Sequence, residues 1–315
     1  MAYATTPALV ASAIKAGGVG FLGAGNESAP NLADMIEQAR AGLNPEQQAL
    51  VGMGFVGWVV DRFNTESDPR LETVLDQKVS GVWLAFGNDL GKYVPQIREH
   101  SKSSGHNTKI LVNVNTIDEL KTAVNEWKVD VVIVQGAEAG GRGSIHSPPT
   151  LEFVKQAVPL VHNSTPILAA GGIMNGSQMA ALLETGASGI VLGTRVLFTS
   201  ESMISEEMKQ IMMDAGPNST SRSSAYDIAF PPNVWAAGIE ARCINNAIVQ
   251  EFEDELDPAE RRARIQIGDR NHLIIYAGKG VSEVNEIQPT ETVIQAVAEE
   301  ATASLKASGS RLVVE

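Results

Sequence analysis

Seven short apolar runs, near residues 18, 50, 81, 109, 129, 166 and 189, alternate with helical patterns at intervals of roughly 20 to 30 residues. No two of them are joined by a hairpin signal. Each crossover then has room for a helix that returns the chain to the start of the next strand, which makes the strands parallel. The runs are continuous rather than alternating: Val131 to Val134 are all apolar, and Pro166 to Gly172 reads PILAAGG. Strands of that kind are buried on both faces. The expected fold class is α/β, a parallel sheet covered by helices. A closed TIM (β/α)8 barrel requires eight strands, so either the first strand is missing or the sheet is open.

Helices are expected after most strands. Thr6 and Pro7 supply an N-cap and a first-turn proline for a helix through Ile14. Further helices are placed at Ala29–Ala41, Leu71–Gln77, Thr116–Trp127, Pro149–Val161 and Ser177–Thr185, with another ending at Gln96–His100. Leu50–Trp58, Gly81–Phe86, Lys109–Val114 and Gly189–Val196 read as strands. Past Thr199 the pattern changes. Ser200–Asp214 is a methionine-rich amphipathic helix, Pro217–Ser224 a polar loop, and Pro231-Pro232 leads into a helix near Trp235–Phe252. Asp254–Arg264 reads as a charged, solvated face, Glu291–Leu305 as a last helix, and Ala307–Glu315 as a frayed tail.

Charge and cysteine content narrow the class. A net charge of −13 and a pI near 4.9 argue against nucleic-acid or anionic-membrane partners, which require a basic surface. No stretch reaches the ~18 apolar residues of a membrane span, and no signal peptide is evident at the N-terminus. The single cysteine, Cys243, excludes an intrachain disulfide and reads as a packed thiol within a helix beside Ile239, Ala241, Ile244 and Ala247. These features point to a cytoplasmic protein. A homodimer is compatible with them, and no metal is expected.

Glycines mark the ends of the late strands. Val129–Ile145, VDVVIVQGAEAGGRGSI, is a buried strand that empties into a glycine-rich polar loop, as α/β folds do where they present binding groups. Gly171-Gly172 and Gly193-Thr194 end the next two strands. In a barrel this is the usual place for a phosphate, held by backbone N–H groups. Neither loop has a Walker lysine, which excludes a P-loop NTPase. Gly18, Gly20 and Gly23 match G-x-G-x-x-G, but they follow a helix and enter the strand itself, whereas a dinucleotide fingerprint sits between a strand and its helix.

VQGAEAGGRG, PILAAGGIMNG and GIVLGTRVLFTSES, with the early GGVGFLGAG and the later YAGKGVSEVNEIQP, together resemble the FMN-dependent nitronate monooxygenase family, formerly called 2-nitropropane dioxygenases. Flavin-dependent enoyl reductases are relatives of that family. The resemblance implies a barrel of residues 1–198 and 268–315 with FMN at its strand ends, and a smaller, mainly helical lid over 199–267. By position, Gln135, Gly140 and Gly141 would contact the flavin, and Asn113 either contacts the ring or caps a turn. Gly171, Gly172, Val191, Leu192, Gly193 and Thr194 would hold the ribityl phosphate, mainly through backbone groups.

Two departures from the family pattern bear on the chemistry. The family's first strand ends in Ala-Pro-Met beside the flavin, and Met1 stands at that methionine, so this strand is expected to be absent. Members that oxidise neutral nitroalkanes carry histidine in Glu-Ala-Gly-Gly-His, where this chain has Arg142. A guanidinium stays protonated near pH 7 and cannot take an α-proton as imidazole can. It can hold an anion, with His146, four residues on, as the alternative base. The implied reaction is FMN-dependent oxidation of alkyl nitronates by O2 to carbonyl compounds and nitrite. The alternatives are an NAD(P)H-dependent flavin reductase of an enone or quinone, or a non-catalytic FMN-binding relative.

Overall fold

The computed structural model describes residues 4–161, 165–229, 235–267 and 269–309. Seven parallel strands form its main sheet: β1 (Gly20–Gly23), β2 (Val51–Val56), β3 (Gly81–Ala85), β4 (Lys109–Val114), β5 (Val131–Gln135), β7 (Ile167–Ala170) and β8 (Gly189–Val191). They pair in chain order, the loop after β5 contributing a further strand, β6 (Gly141–Ser144), to a different sheet. Among the described residues no ladder joins β8 back to β1. The result is a TIM-barrel-like fold, curled but lacking one strand.

Residues 4–6 reach across the resulting seam. The Gly23 N–H donates to the Thr5 hydroxyl (3.2 Å), the Met203 N–H to the Ala4 carbonyl (3.1 Å), and the Thr6 hydroxyl to the Glu201 carbonyl (2.6 Å). Thr6 also caps the helix Pro7–Lys15, accepting from the Leu9 N–H at 3.0 Å.

Side-chain alternation along the strands divides the core into an outer and an inner layer. The outer layer joins Met53, Leu84, Val112, Val132 and Ile167 to covering helices such as Ala29–Arg40, which contributes Leu32 and Ile36. The inner layer is smaller: Leu111, Ile133 and Ala170, with the partly buried Phe21, Trp83, Val131, Leu168 and Val191. Phe21 and Trp83 meet edge to face at 5.8 Å. Apolar side chains thus remain half-buried inside the open curl, beneath the strands' carboxyl ends.

Several boundaries differ from the sequence reading. The second strand stops at Val56, and Trp58 lies on the helix Gly57–Phe63. β8 stops at Val191, and Thr194–Leu197 is a short helix. The largest correction concerns the segment expected to be a helix from Trp235 to Phe252. Ile239–Ile244 is instead strand β10, followed by the helix Ala247–Glu253. β10 pairs antiparallel with both β6 and β9 (Thr220–Ser223), so sheet partners overrode the helical pattern around Cys243. Pro231-Pro232 and residues 310–315 lie outside the described residues. No helix among the described residues is long and apolar enough to cross a membrane.

The C-terminal helix, Thr290–Ala307, packs on the helix Gly176–Glu184 and is anchored at its start by Glu201. The Glu201 carboxylate accepts from the Thr290 N–H (3.0 Å) and hydroxyl (3.0 Å). Burial pushes its pKa up, but the hydrogen bonds from Thr290 and Ser200 outweigh burial and hold it below the ordinary value. A depressed carboxylate pKa contributes stability above the unfolded-state value and loses it as pH falls through the folded-state value. Glu201→Gln is therefore expected to lower the melting temperature by about 2–4 °C at pH 7. The deficit should shrink toward zero below about pH 4, as differential scanning fluorimetry at both pH values would show.

Candidate active site

The carboxyl ends of β4, β5, β7 and β8 meet the loops that follow them. In register, Gln135 stands beside Ala170, and Ala170 beside Val191. Asn113 and Gln135 are both buried, and they bond to each other, Asn113 Nδ2 donating to Gln135 Oε1 at 2.8 Å. Gln135 Nε2 in turn donates to the Arg142 carbonyl at 2.8 Å. Asn113 thus belongs to a polar chain that runs from inside the barrel into the glycine loop, and does not cap a turn.

Gly171 and Gly172 follow β7 with φ of +116° and +72°, conformations that L side chains rarely adopt. A Cβ at Gly172 would stand 2.8 Å from the Glu138 side chain, so the loops after β5 and β7 approach as closely as backbone allows. Glu138 is held in turn by the Thr150 N–H (2.8 Å) and hydroxyl (2.7 Å). Opposite, the Gly278 N–H donates to the Thr194 hydroxyl (2.9 Å) and the Lys279 N–H to the Glu138 carbonyl (3.0 Å). This draws the segment after Tyr276 against the ends of β5 and β8. Among the described residues the N–H groups of Gly172 and Gly193 take part in no internal hydrogen bond. Unclaimed donors at adjoining strand ends, above a half-buried apolar interior, fit an anionic tail attached to a flat ring system.

Val191 belongs to the inner layer, whereas the Leu192 side chain packs with the outer core and leaves only its backbone toward the strand ends. Gly140 directly precedes β6, and Gly141 is its first residue.

Arg142 is mostly buried. It is ion-paired with Asp227, itself mostly buried, and its guanidinium lies over the Trp235 ring at 4.6 Å. Trp235 meets Trp58 at 5.5 Å and Phe86 at 5.6 Å, both edge to face. The guanidinium is thus enclosed by side chains from the segment after Thr199, and its Nε has no hydrogen-bond acceptor among the described residues. His146 lies elsewhere. It is exposed beyond the end of β6, and its N–H donates to the Ser144 hydroxyl at 3.0 Å. Asp227, Trp235 and Arg222, which binds the glycine loop from β9, were not evident from sequence, because nothing in their local pattern sets them apart from polar or aromatic surface positions.

A family model described as nitronate monooxygenase matches residues 57–300, more than half of the chain. The chain belongs to the nitronate monooxygenase family. As a member it is a flavin-dependent oxidoreductase that acts on a small-molecule substrate. A probable nitronate monooxygenase of Staphylococcus aureus (strain Newman) is 29% identical, covering 89% of this chain and 86% of its own. The nitronate monooxygenase npaC of Metarhizium robertsii is 27% identical, covering 97% and 90%. Among solved structures, FabK from Thermotoga maritima superposes with a TM-score of 0.78 at 25% identity, covering 98% and 93% of the two chains. A nitroalkane oxidase from Streptomyces ansochromogenes superposes with 0.76 at 25% identity, covering 97% and 94%.

Proposed function

We propose that this nitronate monooxygenase family member uses FMN to oxidise alkyl nitronates with dioxygen, giving carbonyl compounds and nitrite. The observation that carries the reading is Arg142, a buried cation at the position where members acting on neutral nitroalkanes have their histidine base. Arginine replaces the imidazole there, His146 is exposed beyond the end of β6, and the nearby Asp227 carboxylate is engaged in the ion pair with Arg142. The α-proton is therefore lost in solution before binding, and the substrate is the anion.

Gln135 and Asn113 would face the flavin ring, with Gly140 and Gly141 along its edge. Gly171, Gly172, Val191, Leu192, Gly193 and Thr194 would surround the phosphate through their backbone. Bound FMN supplies the electron acceptor and the route to oxygen. The Arg142 Nε–H would donate to a nitronate oxygen, with Asp227 offsetting part of the guanidinium charge so that the anion is placed without being held too tightly. Residues 199–267 act as a lid: they bring Asp227 and Trp235 over Arg142 and keep water from the reacting carbon.

Oxygen uptake by FMN-loaded protein tests this. The reading expects uptake and nitrite release with a short-chain nitronate, and little of either with the parent nitroalkane before it ionises. Failure of both substrates, alongside rapid anaerobic bleaching by NADH or NADPH, would transfer the assignment to a flavin reductase.

A further inference from the structure

Three consecutive carbonyls of the glycine loop are held from opposite directions. Arg222, on β9, extends its guanidinium across β10 and donates from Nη1 to the carbonyls of Gly141 (3.2 Å) and Gly143 (3.1 Å). The carbonyl between them, that of Arg142, accepts instead from Gln135 Nε2 at 2.8 Å. Arg222 Nη1 also reaches the Glu240 carbonyl (2.7 Å), and Nη2 the Ala139 carbonyl (2.8 Å). Alternate carbonyls of a strand point to opposite sides, so one guanidinium grips β6 from the small sheet while one amide grips it from the barrel.

An arginine spent on four backbone carbonyls is costly to keep. Burial, with the neighbouring Arg242 next in effect, pulls its pKa down to about 10, still high enough for the guanidinium to stay charged at neutral pH. The contact is tight as well: a Cβ at Gly143 would fall 2.8 Å from Arg222 Nη2 and 2.9 Å from Nη1. No side chain larger than hydrogen fits there without moving the guanidinium.

We propose that Arg222 is a positioning residue for the flavin. It fixes β6 against the pull of Gln135, and so sets the angle at which the Gln135 amide meets the cofactor ring. The proposal rests on the reading that the flavin lies beside Gln135. Arg222 bonds to the backbone carbonyls of Ala139, Gly141, Gly143 and Glu240, and acts on the flavin only through the loop.

The test is a double-mutant cycle on FMN dissociation constants between Arg222→Lys and Gln135→Leu, run with the full chain. It is accompanied by amide hydrogen exchange of residues 139–144 in flavin-free protein. Lysine keeps the charge but cannot span four carbonyls. Arg222→Lys is expected to weaken FMN binding about tenfold, speed exchange in the loop, and shift the visible flavin spectrum. In the Gln135→Leu background the same change should leave FMN affinity nearly unaltered, because the residue it acts through is gone. Additive losses would overturn the proposal. An unchanged affinity in Gln135→Leu alone would instead overturn the cofactor placement beneath it. Gly143→Ala supplies a second route, since it displaces the guanidinium and leaves Arg222 intact; it should reproduce the spectral shift and the faster exchange. A Gly143→Ala protein with the parent spectrum and parent exchange would also overturn the proposal.

Discussion

Replacing Arg142 by histidine is expected to give oxygen consumption with a neutral nitroalkane about 10²-fold above that of the parent protein. A guanidinium is already protonated near neutral pH and cannot take up a proton there, whereas imidazole does so near its ordinary pKa of about 6.5. Asp227, the ion-pair partner of Arg142, would lie close enough to orient the ring and favour imidazolium. The sign follows. An adjacent carboxylate raises the histidine pKa, so nitroalkane turnover should climb as pH rises through that value and level off above it. Loss of the stack on Trp235 removes a cation–π contact of about 0.5–2 kcal/mol, and the variant should melt somewhat earlier. Nitronate turnover should fall, because the donor that places the anion is gone. A variant that still oxidises nitronate yet gains nothing with nitroalkane would show that this position does not face the α-carbon.

The second large effect is expected at Gly172. Valine there must adopt φ near +72°, a region that costs L residues about 1–2 kcal/mol or more, and more again for a β-branched side chain. Its Cβ would also press on the Glu138 side chain from 2.8 Å, and Glu138 is fixed by Thr150. The strain has no outlet except to separate the loops after β5 and β7, where the phosphate is proposed to sit. Gly172→Val should lose bound flavin on gel filtration, with an affinity at least about tenfold weaker. Gly42→Val is the matched control. Gly42 has nearly the same φ, +75°, with nothing within 4 Å of its Cβ position, and lies in the exposed turn after the helix Ala29–Arg40. Equal loss of flavin from both variants would mark general instability rather than a broken cradle.

The barrel strands were legible because each is an apolar run between glycine or polar punctuation, and burial on both faces leaves little room for another reading. All seven anticipated runs are strands in the structure. The segment after Thr199 was less legible for a physical reason. In Ile239–Ile244 the apolar residues Ile239, Ala241 and Cys243 alternate with Glu240 and Arg242, a strand signature. Ile244 and Ala247 extend the same set into helical spacing, and only the ladder to β6 and β9 decides between them. The same limit applies to the site. Glycine loops announce themselves locally, whereas Arg142 meets Asp227 across 85 positions of chain and Arg222 meets Gly143 across 79. Long-range pairing of this kind leaves no spacing to read.

A closed ring has no ends, but among the described residues this sheet has two, and their position has a thermodynamic consequence. β8 lies at one end, its last residue two positions before Gly193, and β1 at the other, bridged by residues 4–6 through single hydrogen bonds rather than a ladder. Local unfolding starts where pairing is one-sided, so the terminal strands should be the first to release. A ligand gripping the turn after β8 adds its binding free energy to the closed state, in proportion to the logarithm of its concentration over its dissociation constant. Cofactor supply would then govern how long the chain survives proteolysis as well as how fast it works.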